Sequence, residues 1–133
     1  MLKTRHMLTA LLPLAVACGN PAEPHYTSPT EVALTVGREV RVDSLLRVSF
    51  VSVLSDSRCP LNVMCVWAGD AAVMIACAVG MGPSQPDTLH TYLDPKAAQF
   101  SGYTITLLEL DPYPATDPIP QSRYVARLRI ERL

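Results

Sequence analysis

The sequence predicts an all-β domain, an antiparallel β-sandwich or small barrel of about seven strands, behind an N-terminal signal and tether. Three observations carry this expectation. Apolar residues recur with a period of two, as at Val32, Leu34 and Val36, and again at Tyr124, Ala126, Leu128 and Ile130. Twelve prolines and six glycines interrupt the chain every few residues, which disfavours long helices. One run, Ala71–Val79, is apolar at every position, as suits a strand buried on both faces. A chain of 133 residues with no internal repeat fits one such domain.

The first 17 residues read as a secretory signal. Lys3 and Arg5 supply a basic start, and Met7–Ala17 is an apolar run too short to span a bilayer as a helix. The run ends in Ala15-Val16-Ala17-Cys18, small residues before a cysteine, as in a bacterial lipobox. Cys18 is therefore the expected lipidation site and mature N-terminus. Simple secretion after an A-x-A site is the alternative. Residues 18–29 are rich in proline and polar side chains, a tether with no core of its own. The β-domain is expected over 30–133.

Within that domain, Val32–Val36 and Val40–Val42 alternate around a turn at Gly37-Arg38, and Asp43-Ser44 signals another turn. Leu46, Val48 and Phe50 alternate, and Val51 and Val53 then shift the phase, which predicts a β-bulge near Phe50-Val51. Gly80–Pro86 reads as a loop, Thr88–Leu93 as a short strand, and Lys96–Gln99 as one helical turn. Tyr103–Leu110 alternates again, the four prolines of Asp111–Gln121 predict a long loop, and Arg123–Arg132 predicts a half-exposed strand.

The most informative stretch is Asp56–Gly69, DSRCPLNVMCVWAG, which holds two cysteines and the only tryptophan. The gap between Cys59 and Cys65 is too wide for a C-x-x-C redox or zinc motif. It suits a small disulfide ring, because Pro60 fixes φ and Asn62 tolerates turn conformations. Cys77 then remains a thiol on an apolar strand face; pairing of Cys65 with Cys77 stays open at this level. Two readings of the stretch follow. One is a structural staple with Trp67 as a core plug. The other is a rigid loop that presents a binding surface through Asp56, Arg58, Pro60, Asn62 and Trp67, with Asp56 and Arg58 bonding exposed loop backbone. The tryptophan beside a cysteine also echoes an immunoglobulin-like sandwich, although these cysteines would close a local ring and not an inter-sheet bridge.

Ser57-Arg58-Cys59-Pro60 followed by Cys65-Val66-Trp67-Ala68-Gly69 resembles a signature of small bacterial envelope proteins, many of them lipoproteins. The likeness extends weakly over about Arg41–Glu131, through Pro112-Tyr113-Pro114 and Tyr124–Ile130. It implies an envelope location and an architecture, and it supplies no mechanism.

Composition narrows the function classes. The formal charge is −1, and removing Lys3 and Arg5 leaves nine basic against twelve acidic residues, so the exported part is mildly acidic. Without a basic run, nucleic acid is not an expected partner. No phosphate loop, nucleotide fingerprint or G-x-S-x-G elbow is present. His90 reads as a strand residue facing solvent, and Asp56 with Asp70 as turn formers more than a carboxylate pair. No catalytic residue, cofactor or metal is assigned. The expected function is a lipid-anchored cell-envelope protein, a non-catalytic binding or structural module. Its expected partners are the membrane, through the anchor, and an envelope protein or small ligand. The alternative is copper handling or thiol redox through Cys59, Cys65 and Cys77 with Met64 and His90.

Overall fold

A computed structural model describes residues 29–133; the signal, Cys18 and nearly all of the tether lie outside them. Among the described residues there are eight strands: β1 (Thr30–Thr35), β2 (Glu39–Arg41), β3 (Leu46–Asp56), β4 (Ala71–Val79), β5 (Gln85–His90), β6 (Ala97–Phe100), β7 (Tyr103–Asp111) and β8 (Val125–Arg132). One sheet runs β1-β8-β7-β6 and the other β2-β3-β4-β5, with antiparallel pairing throughout. The sheets do not close into a barrel. The molecule is a β-sandwich. Its strand order is not the immunoglobulin one, which sets the second strand beside the fifth.

The core follows the alternation. Leu46, Val48 and Phe50 of β3, Val73 and Ile75 of β4, Ile105 and Leu107 of β7, and Ala126, Leu128 and Ile130 of β8 are buried between the sheets. Ala71–Val79 is internal to its sheet, and residues on both of its faces are buried, as its unbroken apolar run predicts. The register of β3 against β4 slips between Phe50 and Ser52 and again between Val53 and Ser55. The first slip is the expected bulge. It leaves Val51 outside and returns Val53 to the core. The Gln121 side chain then fills the backbone bonds of the displaced strand, accepting from Val53 N at 3.0 Å and donating to Val53 O at 2.8 Å.

Two expectations fail locally. Lys96–Gln99 is not a helical turn, because Ala97–Phe100 forms β6 against Tyr103–Thr106. Ser101 and Gly102, both at positive φ, make the two-residue turn of that hairpin. The helix-forming propensity of Lys-Ala-Ala-Gln yields to the pairing that a Ser-Gly turn sets up. The fifth strand also begins at Gln85, inside the predicted loop, and Pro86 is tolerated there because β5 is an edge strand.

Candidate functional site

Three connections meet at one end of the sandwich: residues 57–70 after β3, 91–96 after β5, and 112–124 after β7. The first is the cysteine stretch. Cys59 and Cys65 are disulfide-bonded with their Cα atoms 5.9 Å apart, and Cys77 is a free, buried thiol. Inside the ring, Val63 N donates to Pro60 O at 3.2 Å, a turn centred on Leu61 and Asn62. The ladder of β3 and β4 runs on into the loop, through Ser57 N to Asp70 O at 2.7 Å and Cys59 N to Ala68 O at 3.1 Å.

The residues expected to present a surface separate into two groups. Asp56 and Arg58 turn inward. Arg58 Nε donates to Asp56 Oδ1 at 2.9 Å and Nη2 to Asp56 Oδ2 at 2.7 Å, a two-pronged pair. Arg58 Nη1 donates to Leu110 O at 2.5 Å, and Nη2 also to Pro112 O at 2.9 Å. Tyr124 Oη donates to Asp56 Oδ2 at 2.9 Å, and the Tyr113 ring lies 4.8 Å from the guanidinium. Arg58 is 5% exposed, the one buried charged residue among those described. It fastens the cysteine loop to the β7–β8 connection and does not bond exposed loop backbone. A second tie is Leu61 N to Pro114 O at 3.2 Å.

Trp67 goes the other way. It is 82% exposed and plugs nothing. Around it Leu61 is 78%, Met64 100% and Val66 92% exposed, and Val63 and Asn62 are exposed as well. No charged side chain lies between Cys59 and Gly69. The stretch is thus a staple whose outer residues are exposed. Its inner part, Asp56 and Arg58, holds, while its outer part is an exposed tip that is apolar except for Asn62. Leu61, Val63, Met64 and Val66 were not among the expected surface residues. The signal for them was the eleven-residue uncharged run in a loop, where no strand face demands apolar side chains.

Asp70 anchors the neighbouring connection. Its Oδ2 lies 2.6 Å from His90 Nδ1, and its Oδ1 accepts from Tyr92 N at 2.8 Å and Leu93 N at 3.2 Å. His90 is therefore half-buried and paired, not simply turned to solvent. Asp56 and Asp70 engage different partners and form no carboxylate pair. Ser57 Oγ donates to Asp70 O and accepts from Asp70 N, so it is tied to backbone and makes no bond to the Asp70–His90 pair. By these bonds Asp70 holds the backbone of Tyr92 and Leu93, both exposed, against the base of the loop. Tyr113, about half exposed, flanks it on the other side.

The sulfur donors are dispersed. Cys59 and Cys65 are consumed by the ring, Met64 points into solvent and His90 is held by Asp70. Burial, and then the charge of Asp87, push the Cys77 thiol up to about 11, so little thiolate exists at neutral pH. Cys77 lines a small cleft with Pro86, Ala98 and Phe100, of about 70 Å³, well below the size of a small-molecule site. Among the described residues, no group of three or more His, Cys, Asp or Glu side chains is placed to hold a metal ion.

Three loop-end aspartates lie below their ordinary value of 3.8. In each, burial pushes the carboxyl up and hydrogen bonds outweigh it. The donors are Tyr103 and the Leu45 and Leu46 amides at Asp43, Arg58 and Tyr124 at Asp56, and His90 with the Tyr92 and Leu93 amides at Asp70. A carboxyl depressed on folding contributes stability above its unfolded pKa and loses it as pH falls through the folded one. Urea denaturation should therefore show the contribution of these groups unchanged between about pH 7 and pH 5, and falling below about pH 4. Asp56→Asn should be less stable at neutral pH and should blunt that acid loss.

Comparison with protein-family models, curated proteins and solved structures finds no match for this chain.

Proposed function

We propose that this chain is a lipid-anchored bacterial cell-envelope protein, a non-catalytic binding module whose contact surface is the stapled loop Pro60–Trp67. The observation that carries the binding reading is the exposure of Leu61, Met64, Val66 and Trp67 on a backbone held by a disulfide and by Arg58. Bare apolar groups cost nothing to fold against in this position, but they stabilise nothing either, so their use lies outside the molecule. Rigidity lowers the ordering entropy of any complex they make. The anchor reading rests on Ala15-Val16-Ala17-Cys18 and on the resemblance of the cysteine stretch to envelope lipoproteins. The copper or thiol-redox alternative draws no support from a dispersed donor set.

Two measurements test the halves separately. Cells fed an acyl probe should label the wild-type protein and not Cys18→Ser; an unlabelled wild type sinks the anchor. Envelope extract should retain wild type better than Cys59→Ser/Cys65→Ser, which loosens the loop, or Trp67→Ala, which leaves the fold unchanged. Equal retention of all three sinks the binding loop. The double cysteine variant should also lose about 2 kcal/mol of stability, since a ring this small restricts the unfolded chain by that much.

A further inference from the structure

We infer that the partner of the stapled loop is a lipid bilayer, into whose interfacial region the tip bearing Leu61, Met64, Val66 and Trp67 inserts. This rests on the reading of the loop as a contact surface and names what it contacts.

Shape comes first. Met64 at 100% and Val66 at 92% exposure touch almost nothing of their own molecule, so they form a convex tip and not a groove or a flat face. A protein interface core needs close packing from both sides. A fluid bilayer closes around a protrusion of any outline.

Charge comes second. The run Cys59–Gly69 is uncharged; beneath it Asp56 is paired with Arg58, and Asp70 is held by hydrogen bonds with His90 and the Tyr92 and Leu93 amides. The flanking connections 91–96 and 112–124 carry Asp94 and Asp117 against Lys96 and Arg123, a balance of zero. Nothing at this end therefore selects anionic headgroups, and nothing charged is dragged into the membrane with the tip.

Residue type comes third. Aliphatic side chains and a tryptophan, with Asn62 as the single polar side chain among them, occupy the tip, and Tyr92 and Tyr113 lie exposed on the flanking connections, the order in which side chains are found across a membrane–water boundary. The irregular backbone limits the depth, because free amides are not tolerated in hydrocarbon, so the tip rests at headgroup level. Cys18 precedes Thr30 by twelve residues, a reach of about 40 Å when extended, against about 27 Å for the length of β8. An acyl anchor and the tip can therefore meet the same bilayer, even though β1 starts at the far end of the sandwich.

The test uses the full chain with Cys18→Ser, so that no acyl group contributes, on phosphatidylcholine vesicles. Trp67 is the only tryptophan, so its fluorescence reports the tip alone, whatever the leader does. The expected result is a blue shift on vesicles, with quenching by bromine-labelled acyl chains, unaffected by about 0.5 M salt. Met64→Asp and Val66→Asp each keep Trp67 and an unchanged thermal melt, and weaken that quenching roughly tenfold or more. Three results overturn the inference: unshifted, unquenched emission on vesicles; a shift that requires anionic lipid and disappears in salt; or a lipid-free shift with a doubled mass, which makes a second copy the occupant. Tip-dependent retention of an envelope protein without any vesicle effect also overturns it, while leaving the binding-module reading intact. If the tip substitutions change neither vesicle nor envelope binding, both fall.

Discussion

Arg58→Ala lowers the stability of the β-domain by about 3–5 kcal/mol, the largest loss expected from any single substitution in the cysteine loop. Arg58 is 5% exposed, and its guanidinium bonds the Asp56 carboxylate at the end of β3, the carbonyl of Leu110 in β7 and the carbonyl of Pro112 in the connection that follows. Removing it leaves the Asp56 carboxylate enclosed with only Tyr124 and the Arg58 amide as partners, and leaves the carbonyl of Leu110 without its guanidinium donor. The pair is not in itself a large net stabiliser, because burying two charges is costly. The loss comes from isolating one of them. Asp56→Asn together with Arg58→Met should therefore recover part of the deficit, since no net charge is then left inside. For a domain of this size, Arg58→Ala corresponds to a fall in Tm of about 15 °C or more by circular dichroism. A fall equivalent to less than about 1 kcal/mol would place Arg58 with the solvated surface residues and contradict its role as the clasp.

Gly69→Ala is the second large effect, about 3 kcal/mol or more by urea denaturation. Gly69 sits at φ +70°, and a Cβ there would stand 1.9 Å from Ser57 O and 2.6 Å from Ser57 C. Both are backbone atoms of the strand continuation that enters the loop, so no side chain can swing aside. Gly37 supplies the control. It has φ +80° and nothing within 4 Å of its Cβ position, so Gly37→Ala bears only the conformational cost of about 1 kcal/mol. The difference between the two measures the close approach of the loop's entry and exit. Similar losses for both would mean that the entry and exit are not held in contact.

Most of the fold was legible because it rests on short-range signals. The alternations at Val32–Val36, Tyr103–Leu110 and Tyr124–Ile130 gave β1, β7 and β8, with Val36 and Tyr124 just outside the strand ends and the apolar residues packed on or in the core. The phase slip after Phe50 became a bulge. What failed were places where two local signals compete. At Lys96–Gln99 the helical propensity of the segment competes with the Ser101-Gly102 turn, and the turn prevails because it delivers Ala97–Phe100 to β7.

The site was less legible, and unevenly so. Its boundaries, its ring and its turn follow from residues close together in the chain: Cys59 and Cys65 are six positions apart, with Pro60 and Asn62 between them. Those features the sequence determined by itself, along with the strands that carry them. The direction in which each side chain points was decided only by tertiary structure. Arg58 lies inside because the carbonyls of Leu110 and Pro112, more than fifty positions away, complete a shell around it that its neighbour Asp56 only begins. His90 pairs with Asp70 because β4 and β5 bring the two together across twenty positions. Trp67 lies outside because the core between the sheets is already filled by Phe50, Ile105, Leu110 and Leu128, and the loop, clasped at its base, holds its tip beyond the ends of the strands. A period in the sequence reports which residues share a face of a strand. It carries no information about a loop, where the position of a side chain is set by the distant elements that happen to close around it.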